Sequence, residues 1–398
     1  MLRILTFSTL YPSSVRPGHG IFVETRLREL VASGQVDARV IAPVPWFHST
    51  NSRFGEYARM ARTPRCEQRN GLDVQHPRYL LPPKIGMTIA PFSLALGAMS
   101  AVSRLIKEGF SIDLIDAHYY YPDGVAAAIL AQRFNLPFTV TARGTDVNLI
   151  AKLPIPGRLV GWAAKRAHTS IGVSRALTTA MADLGIPPSK LITIANGVDL
   201  TQFQIQSQDA ARAALGWPAG PTLLSVGNLV ENKGHHLVIE ALMGLPEFRL
   251  FVVGDGPERL ALERLASKSG VAPRVTFLGR IDHGKIAACY SAADMLVLAS
   301  SREGMPNVLL ESMACGTPVV ATAVGGIPEV VTNNNAGRVI PERTAAAIVG
   351  AVLDLWRNLP AREVVRGCAM DKGWQSTTEE QIRLFSSIAA RAGGQTRA

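Results

Sequence analysis

Short, almost continuous apolar runs alternate with longer stretches of mixed polarity. The runs Leu2–Ser8, Ala38–Ala42, Leu114–Ala117, Phe138–Thr141, Thr169–Val173 and Leu191–Ile194 predict one series of strands. Thr222–Val226, Arg249–Val253, Val275–Leu278, Met295–Leu298 and Pro318–Ala321 predict a second. Strands that are apolar at nearly every position suit sheets buried on both faces. Helical stretches between them, such as Phe22–Ala32, predict βαβ units and parallel sheets. The expected fold class is therefore α/β, with two doubly wound domains. The polar, glutamine-rich stretch between Asp199 and Pro221 reads as the linker, and the tail Ala392–Ala398 reads as frayed.

At 398 residues the chain has the length of two domains, and 47% hydrophobic with 18% charged residues gives it enough apolar mass for two cores. Met1 to Pro12 is too short and interrupted for a signal peptide and reads as a first core strand entering a loop. Ile85 to Val102 runs without a charge. Its Gly86, Pro91, Gly97 and hydroxyl residues make it a core or membrane-facing helix rather than a span. The four cysteines (Cys66, Cys289, Cys315 and Cys368) show no paired or zinc-like spacing, which suits a reducing cytoplasm.

Charge is lopsided. Residues 1–200 hold 22 Lys and Arg against 13 Asp and Glu, whereas the remainder holds 19 against 18. An anionic partner for the first half follows. Arg53, Arg59, Arg62, Arg65 and Arg69, close after Trp46 and Phe47, read either as a surface for anionic lipid headgroups or as a solvated face. No nucleic-acid motif is present, so nucleic acid is not an expected partner.

Candidate chemistry lies in loops that follow the predicted strands. Glu303 falls in the loop after Met295–Leu298, with Gly304, Met305 and Pro306 behind it. Glu311 falls about one turn inside the next helix, beyond Asn307 and Val308. Such loops lie at the carboxyl edge of an open α/β sheet, where ligands bind, and a helix N-terminus offers free N–H groups to an anion. Carboxylates beside an anion site suit a ligand carrying both phosphates and hydroxyls. Gly227-Asn228 to Lys233-Gly234, Gly254-Asp255-Gly256-Pro257 and Gly18-His19-Gly20 are further loops of this kind. Lys233 can set a point charge on a phosphate. His118, with Tyr119 to Tyr121 behind it, and Arg143 with Asp146 also follow strands; His118 alone reads equally as a structural histidine. No Walker loop, complete Gly-x-Gly-x-x-Gly, Asp-x-Asp, Gly-x-Ser-x-Gly or His-Glu-x-x-His occurs. Triphosphatases, ordinary dehydrogenases and zinc hydrolases are therefore not indicated. Any bound phosphate must be neutralised by cationic side chains and helix dipoles.

Taken in order, these loops resemble the retaining family-4 glycosyltransferases of the GT-B fold. Asn196-Gly197-Val198-Asp199, Tyr290 to Asp294, Ala314 to Val320 and Gly325 to Glu329 extend the resemblance along nearly the whole chain. Thr6 to Pro12 and Arg143 to Asp146 look most like bacterial teichuronic-acid and exopolysaccharide transferases. The resemblance implies two Rossmann-like domains, 1–200 holding the acceptor and 201–372 the nucleotide-sugar donor, with the active site in the cleft between them. Residues 373–398 would cross back onto the first domain. Glu303 would hold the donor sugar, Glu311 the ribose and Lys233 the diphosphate, with Gly227, Asn228, Gly254 and Met305–Val308 lining the donor site. His118 would lie beside the sugar, and Gly18, Gly20, Arg143 and Asp146 would face the acceptor.

The implied reaction moves a sugar from a UDP- or GDP-linked donor to a lipid-linked or polysaccharide acceptor. It retains configuration and uses neither metal nor cofactor, in the cytoplasm or on the inner face of the plasma membrane. Asn228 replaces the arginine usual in the family, and Arg143 is expected to compensate. A nucleotide-sugar epimerase of the same architecture, or a non-catalytic sugar-nucleotide-binding member, are the alternatives.

Overall fold

A computed structural model describes residues 1–82 and 86–395. They form two compact units, Met1–Ala195 with Gln375–Ala398, and Asn196–Trp374.

The first unit is built on an eight-stranded sheet. Its strands are β1 (Leu2–Phe7), β2 (Val36–Ile41), β4 (Cys66–Arg69), β5 (Leu72–Gln75), β7 (Leu114–His118), β8 (Phe138–Ala142), β9 (Thr169–Gly172) and β10 (Leu191–Thr193). A separate small ribbon pairs β3 (Val44–Pro45) with β6 (Arg78–Tyr79). The main order is β10-β9-β8-β7-β1-β2-β5-β4, parallel except where β4 runs against β5. From β1 the chain builds outward through β2 and β5, then returns to the other side of β1 as β7. The loops after β1 and β7 therefore flank a topological switch point, the usual ligand position in such sheets.

The hairpin β4–β5 was not among the expected strands. Its two-residue turn is Asn70-Gly71, with φ of 50° and 79°, the left-handed pair that a tight hairpin of this twist requires. The hairpin also corrects the expected arginine surface. Arg69 is half-buried rather than exposed, and its guanidinium donates at 2.8 Å to buried Glu24, whose charge must be paired to tolerate burial.

The helix Gly86–Lys107 turns Pro91, Leu94, Ala95, Ala98, Val102 and Leu105 inward. Ile85, the first residue of the charge-free run, lies outside the described residues. The helix Trp374–Gln395 belongs to this unit from Gln375 onward, burying Phe385 and Ile388 with Val23, Leu27 and Ile194. It continues past the fraying expected from Ala392; residues 396–398 lie outside those described.

The second unit has a six-stranded parallel sheet, β13-β12-β11-β14-β15-β16. The strands are β11 (Thr222–Val226), β12 (Arg249–Val253), β13 (Val275–Gly279), β14 (Met295–Leu298), β15 (Val319–Thr322) and β16 (Gly337–Ile340). Alternate residues serve two cores: Leu223 and Leu250 pack on one face, Leu224 and Phe251 on the other. This explains the unbroken apolar runs. The switch point falls between β11 and β14.

The expected linker is not one. Residues 208–215 form a helix capped by Ser207, whose side chain accepts from the Ala210 N–H. Gln208 and Arg212 bind Asp294 at 2.8 and 2.9 Å, so the polar residues anchor the helix to the second unit.

Candidate active site

Loops from the two central strands of the second unit meet at its switch point. Ser301 N–H donates to Asn232 O at 2.8 Å, tying the β14 loop to the β11 loop. That tie sets Lys233 Nζ 2.6 Å from Glu303 Oε1. Ser300 Oγ donates to the same carboxylate oxygen, also at 2.6 Å. Two donors on one oxygen fix the carboxylate and leave its Oε2 less engaged. Behind it stands Gly325, at φ +54°; a β-carbon there would lie 1.9 Å from Glu303 O. Gly326 N–H donates to Gly304 O at 3.0 Å, completing the support of the Glu303 loop.

Next to Glu303 begins the helix Asn307–Ala314, with Pro306 as its extended N-cap residue. No side chain caps it, so its positive end is not neutralised by a carboxylate. Asn196 braces the entry: its N–H meets Met305 Sδ at 3.3 Å and its side-chain amide donates to Asn307 Oδ1 at 2.9 Å. Val308 packs partly buried against the core. One turn on, Glu311 is buried and accepts from Tyr290 Oη at 2.8 Å. Burial raises its carboxyl above the usual range, against the opposing influence of His283 and Tyr290.

The remaining loops of this unit join the same edge. Leu229 N–H donates to Asp255 O at 3.0 Å, setting Gly227 and Asn228 beside Gly254. Asn228 is exposed. The organiser of this loop is His235, which sequence reasoning missed. It is buried, with Nδ1 2.9 Å from Ser225 Oγ and Nε2 3.3 Å from Asn228 O. Burial lowers its pKa to about 4, so it is neutral under ordinary conditions.

In the first unit the candidates converge on the carboxyl end of β7. His118 is its last residue and is 2% exposed. Its Nδ1 lies 2.6 Å from Arg143 Nη2 and its Nε2 3.0 Å from Asp116 Oδ2. A guanidinium can only donate, so Nδ1 accepts and Nε2 carries the proton given to Asp116. Burial, together with Arg143, lowers the imidazole pKa despite Asp116, which favours the neutral ring. Burial opposes ionisation of Asp116, but His118, Arg26 and Arg143 outweigh it and hold the carboxyl low.

The chain of contacts runs on. Gln381 reaches Asp116 Oδ2 at 3.4 Å and accepts from buried Arg26 at 2.7 Å. Arg143 lies over the Phe22 ring, 4.9 Å from its centroid. Asp116, Arg26 and Gln381 were not singled out from sequence. Only Asp116 carried a signal, because residues two apart on a strand share a face.

Asp146 is fully buried and committed to backbone, accepting from the N–H groups of Tyr120, Arg143 and Gly144 at 2.7, 3.1 and 2.8 Å. It shapes the loop that carries Arg143. Tyr119, directly after His118, has φ +80°, a conformation that costs a non-glycine residue about 1–3 kcal/mol and gathers at functional sites.

The loop with Gly18 and Gly20 lies at the same sheet edge. Gly20 has φ +70°, and a β-carbon there would lie 2.3 Å from the Leu10 carbonyl. His19 Nε2 meets Thr9 O at 3.1 Å, and Arg16 Nη2 meets His19 Nδ1 at 2.8 Å. Asp123 accepts from Thr9 N–H and from Ser8 Oγ, and burial pushes its carboxyl up to about 7.

Residues 18–202 match the family described as Glycosyltransferase Family 4, and residues 207–366 that described as Glycosyl transferases group 1. A Bacillus subtilis (strain 168) protein named as a teichuronic acid biosynthesis glycosyltransferase, TuaC, is 33% identical over 337 residues, 82% of each chain. The chain belongs to glycosyltransferase family 4. N-acetyl-alpha-D-glucosaminyl L-malate synthase of Bacillus anthracis is 27% identical over 253 residues, 62% of this glycosyltransferase and 65% of that protein. Sucrose-phosphate synthase from Thermosynechococcus elongatus superposes with a TM-score of 0.82 at 22% identity, covering 98% of this chain and 100% of that one. HepE of Anabaena, solved with UDP and glucose, superposes at 0.74 with 20% identity, covering 97% and 100%. At such identities the likeness concerns the fold, and that fold is GT-B.

Proposed function

We propose that this family-4 enzyme moves a sugar from a UDP- or GDP-linked donor to a lipid-linked or oligosaccharide acceptor in cell-surface glycan assembly. Configuration is retained and no metal or cofactor is needed. The observation that carries the reading is the convergence of Lys233, Glu303 and Ser300 beside the uncapped helix Asn307–Ala314. A cation and a helix N-terminus suit a diphosphate; a carboxylate held on one oxygen suits sugar hydroxyls. Glu311 suits ribose hydroxyls. The relationship to TuaC supports the glycan class, and four free cysteines support a cytoplasmic location.

In this mechanism the bond between the anomeric carbon and the diphosphate oxygen breaks first. Lys233 and the helix N-terminus stabilise the departing charge, an electrostatic contribution of about 2.7–4 kcal/mol per donor in comparable sites. Glu303 steadies the sugar. The acceptor hydroxyl attacks from the face the diphosphate leaves, and its proton passes to a diphosphate oxygen. The first unit supplies the acceptor side, with Arg143 oriented by His118 as its cation.

The test is product analysis. The enzyme is incubated with UDP- and GDP-sugars and glycan acceptors in the presence of a chelator, and the new linkage is read by NMR. The reading expects a product with the donor's anomeric configuration. An inverted product, dependence on added metal, or epimerisation of the donor without transfer would each overturn it.

A further inference from the structure

An exposed apolar ridge crosses the first unit. Trp46 is 53% exposed, Leu80 61%, Phe92 52% and Leu96 72%. Hydrogen bonds make these neighbours. Trp46 N–H donates to Tyr79 O at 2.7 Å, extending the β3–β6 ribbon. Ser93 Oγ donates to Leu80 O at 2.6 Å, seating the helix Gly86–Lys107 beside that ribbon. Phe92 and Leu96 are one turn apart and share the outer side of the helix. Tyr57, stacked on Phe47 at 5.3 Å, extends the ridge at one end. Monomeric soluble proteins rarely leave large apolar side chains contiguous in water without a use for them.

The setting of the ridge is cationic. Among the described residues, segments 46–65 and 78–107 together hold seven Lys and Arg against one acidic residue, Glu56. Arg53, Arg62, Arg65, Arg104 and Lys107 are all exposed. An aromatic and aliphatic ridge among cations matches a surface of anionic headgroups over acyl chains. The helix is long and apolar enough to cross a membrane by length and composition, but 44% of its most apolar window is buried within the unit. It can therefore lie on a bilayer without leaving the fold.

We propose that this face seats the first unit on an anionic lipid bilayer, with Trp46, Leu80, Phe92 and Leu96 entering the headgroup boundary and the arginines contacting lipid phosphates. The inference goes beyond the transfer reaction and stands whether or not that reading holds.

The experiment is flotation of the full chain with phosphatidylcholine vesicles and with an equimolar phosphatidylcholine–phosphatidylglycerol mixture, at low and high salt. Nucleoside-diphosphate binding is measured in parallel, so that failure of either reading is seen separately. The chain is expected to float with the anionic vesicles at low salt and to stay behind with the neutral ones. Replacing Phe92 and Leu96 together by Ser lowers partition about tenfold or more. Each of Arg53→Gln, Arg62→Gln and Arg65→Gln lowers it about fivefold. All these positions are exposed, so melting temperature is expected to hold, which separates lost docking from lost folding. No flotation of the parent chain, or flotation unchanged by both sets of replacements, would overturn the proposal. So would a dimer in solution that Leu96→Ser dissociates, since a second copy would then cover this face.

Discussion

Lys233 Nζ and Glu303 Oε1 stand 2.6 Å apart on loops that follow β11 and β14, joined across the switch point of the second unit. The pair is partly screened from water, with side-chain exposures of 23% and 10%. On the function proposed above, a donor diphosphate would share Lys233 with Glu303. The two replacements are expected to act in opposite senses on binding. Lys233→Ala weakens nucleoside-diphosphate affinity and lowers kcat about 10²–10³-fold, the loss typical of one preorganised donor. Glu303→Gln lowers kcat too, but leaves nucleoside-diphosphate affinity equal or higher, because it removes a competing anion. Calorimetry beside steady-state kinetics checks both. Weaker binding in both variants would show that the ion pair mainly holds the loop.

Asp116 and Gln381 act on His118 from behind. Asp116→Asn removes the carboxylate that fixes the Nε2–H tautomer, and with it the orientation of Arg143. A hydrogen bond to a charged group contributes about 1.5–3 kcal/mol, which is roughly ten- to a hundredfold in rate. The variant is expected to lose that much in kcat with donor affinity unchanged. Gln381→Leu, which removes both the acceptor used by Arg26 and the N–H given to Asp116, is expected to lower kcat in the same sense. Full activity in Gln381→Leu, or a changed donor affinity in Asp116→Asn, would remove this relay from the mechanism.

His235 gives the second unit a defined acid sensitivity. Its pKa falls from 6.5 to about 4 on folding, with burial the chief cause. Between those values the unfolded chain binds more protons. The stability it contributes is therefore complete above pH 6.5 and is lost as pH falls toward 4. The span corresponds to about 3 kcal/mol, as an order of magnitude. Hydrogen exchange at the Gly227 and Leu229 amides, both bonded in this loop, is expected to quicken over that window. In His235→Gln the exchange loses most of its pH dependence there, beyond the intrinsic chemistry.

Gly325→Ala tests the support of Glu303. The φ of +54° costs a β-carbon-bearing residue about 1–2 kcal/mol, and the overlap with Glu303 O forces a shift. Activity is expected to fall further than that modest loss of stability explains, because Glu303 moves with its loop. A variant of full activity would place Glu303 away from the chemistry.

Much of the fold was legible because parallel strands buried on both faces write themselves as unbroken apolar runs, as Met295–Leu298 does. The pieces that escaped lack that signature. Cys66–Arg69 alternates exposed and half-buried residues on an edge, and only Asn70-Gly71 marked its turn. Gln208–Leu215 is polar enough to pass for a linker, because its packing uses Gln208 and Arg212 rather than an apolar stripe. At the site, Glu303 and Lys233 were readable as loop residues. Their contact was not, since it depends on β14 lying beside β11 after two intervening strands. Arg26 and Gln381 meet across most of the chain's length, a pairing to which no local pattern points.

On the function proposed above, the second unit holds the nucleotide sugar. The most direct test is calorimetric titration of the full chain with UDP, GDP and ADP without added metal, repeated with Glu311→Ala. Saturable binding of UDP or GDP, weakened in the variant, is the expected result. Failure of all three nucleotides to bind, or binding indifferent to Glu311, would contradict it.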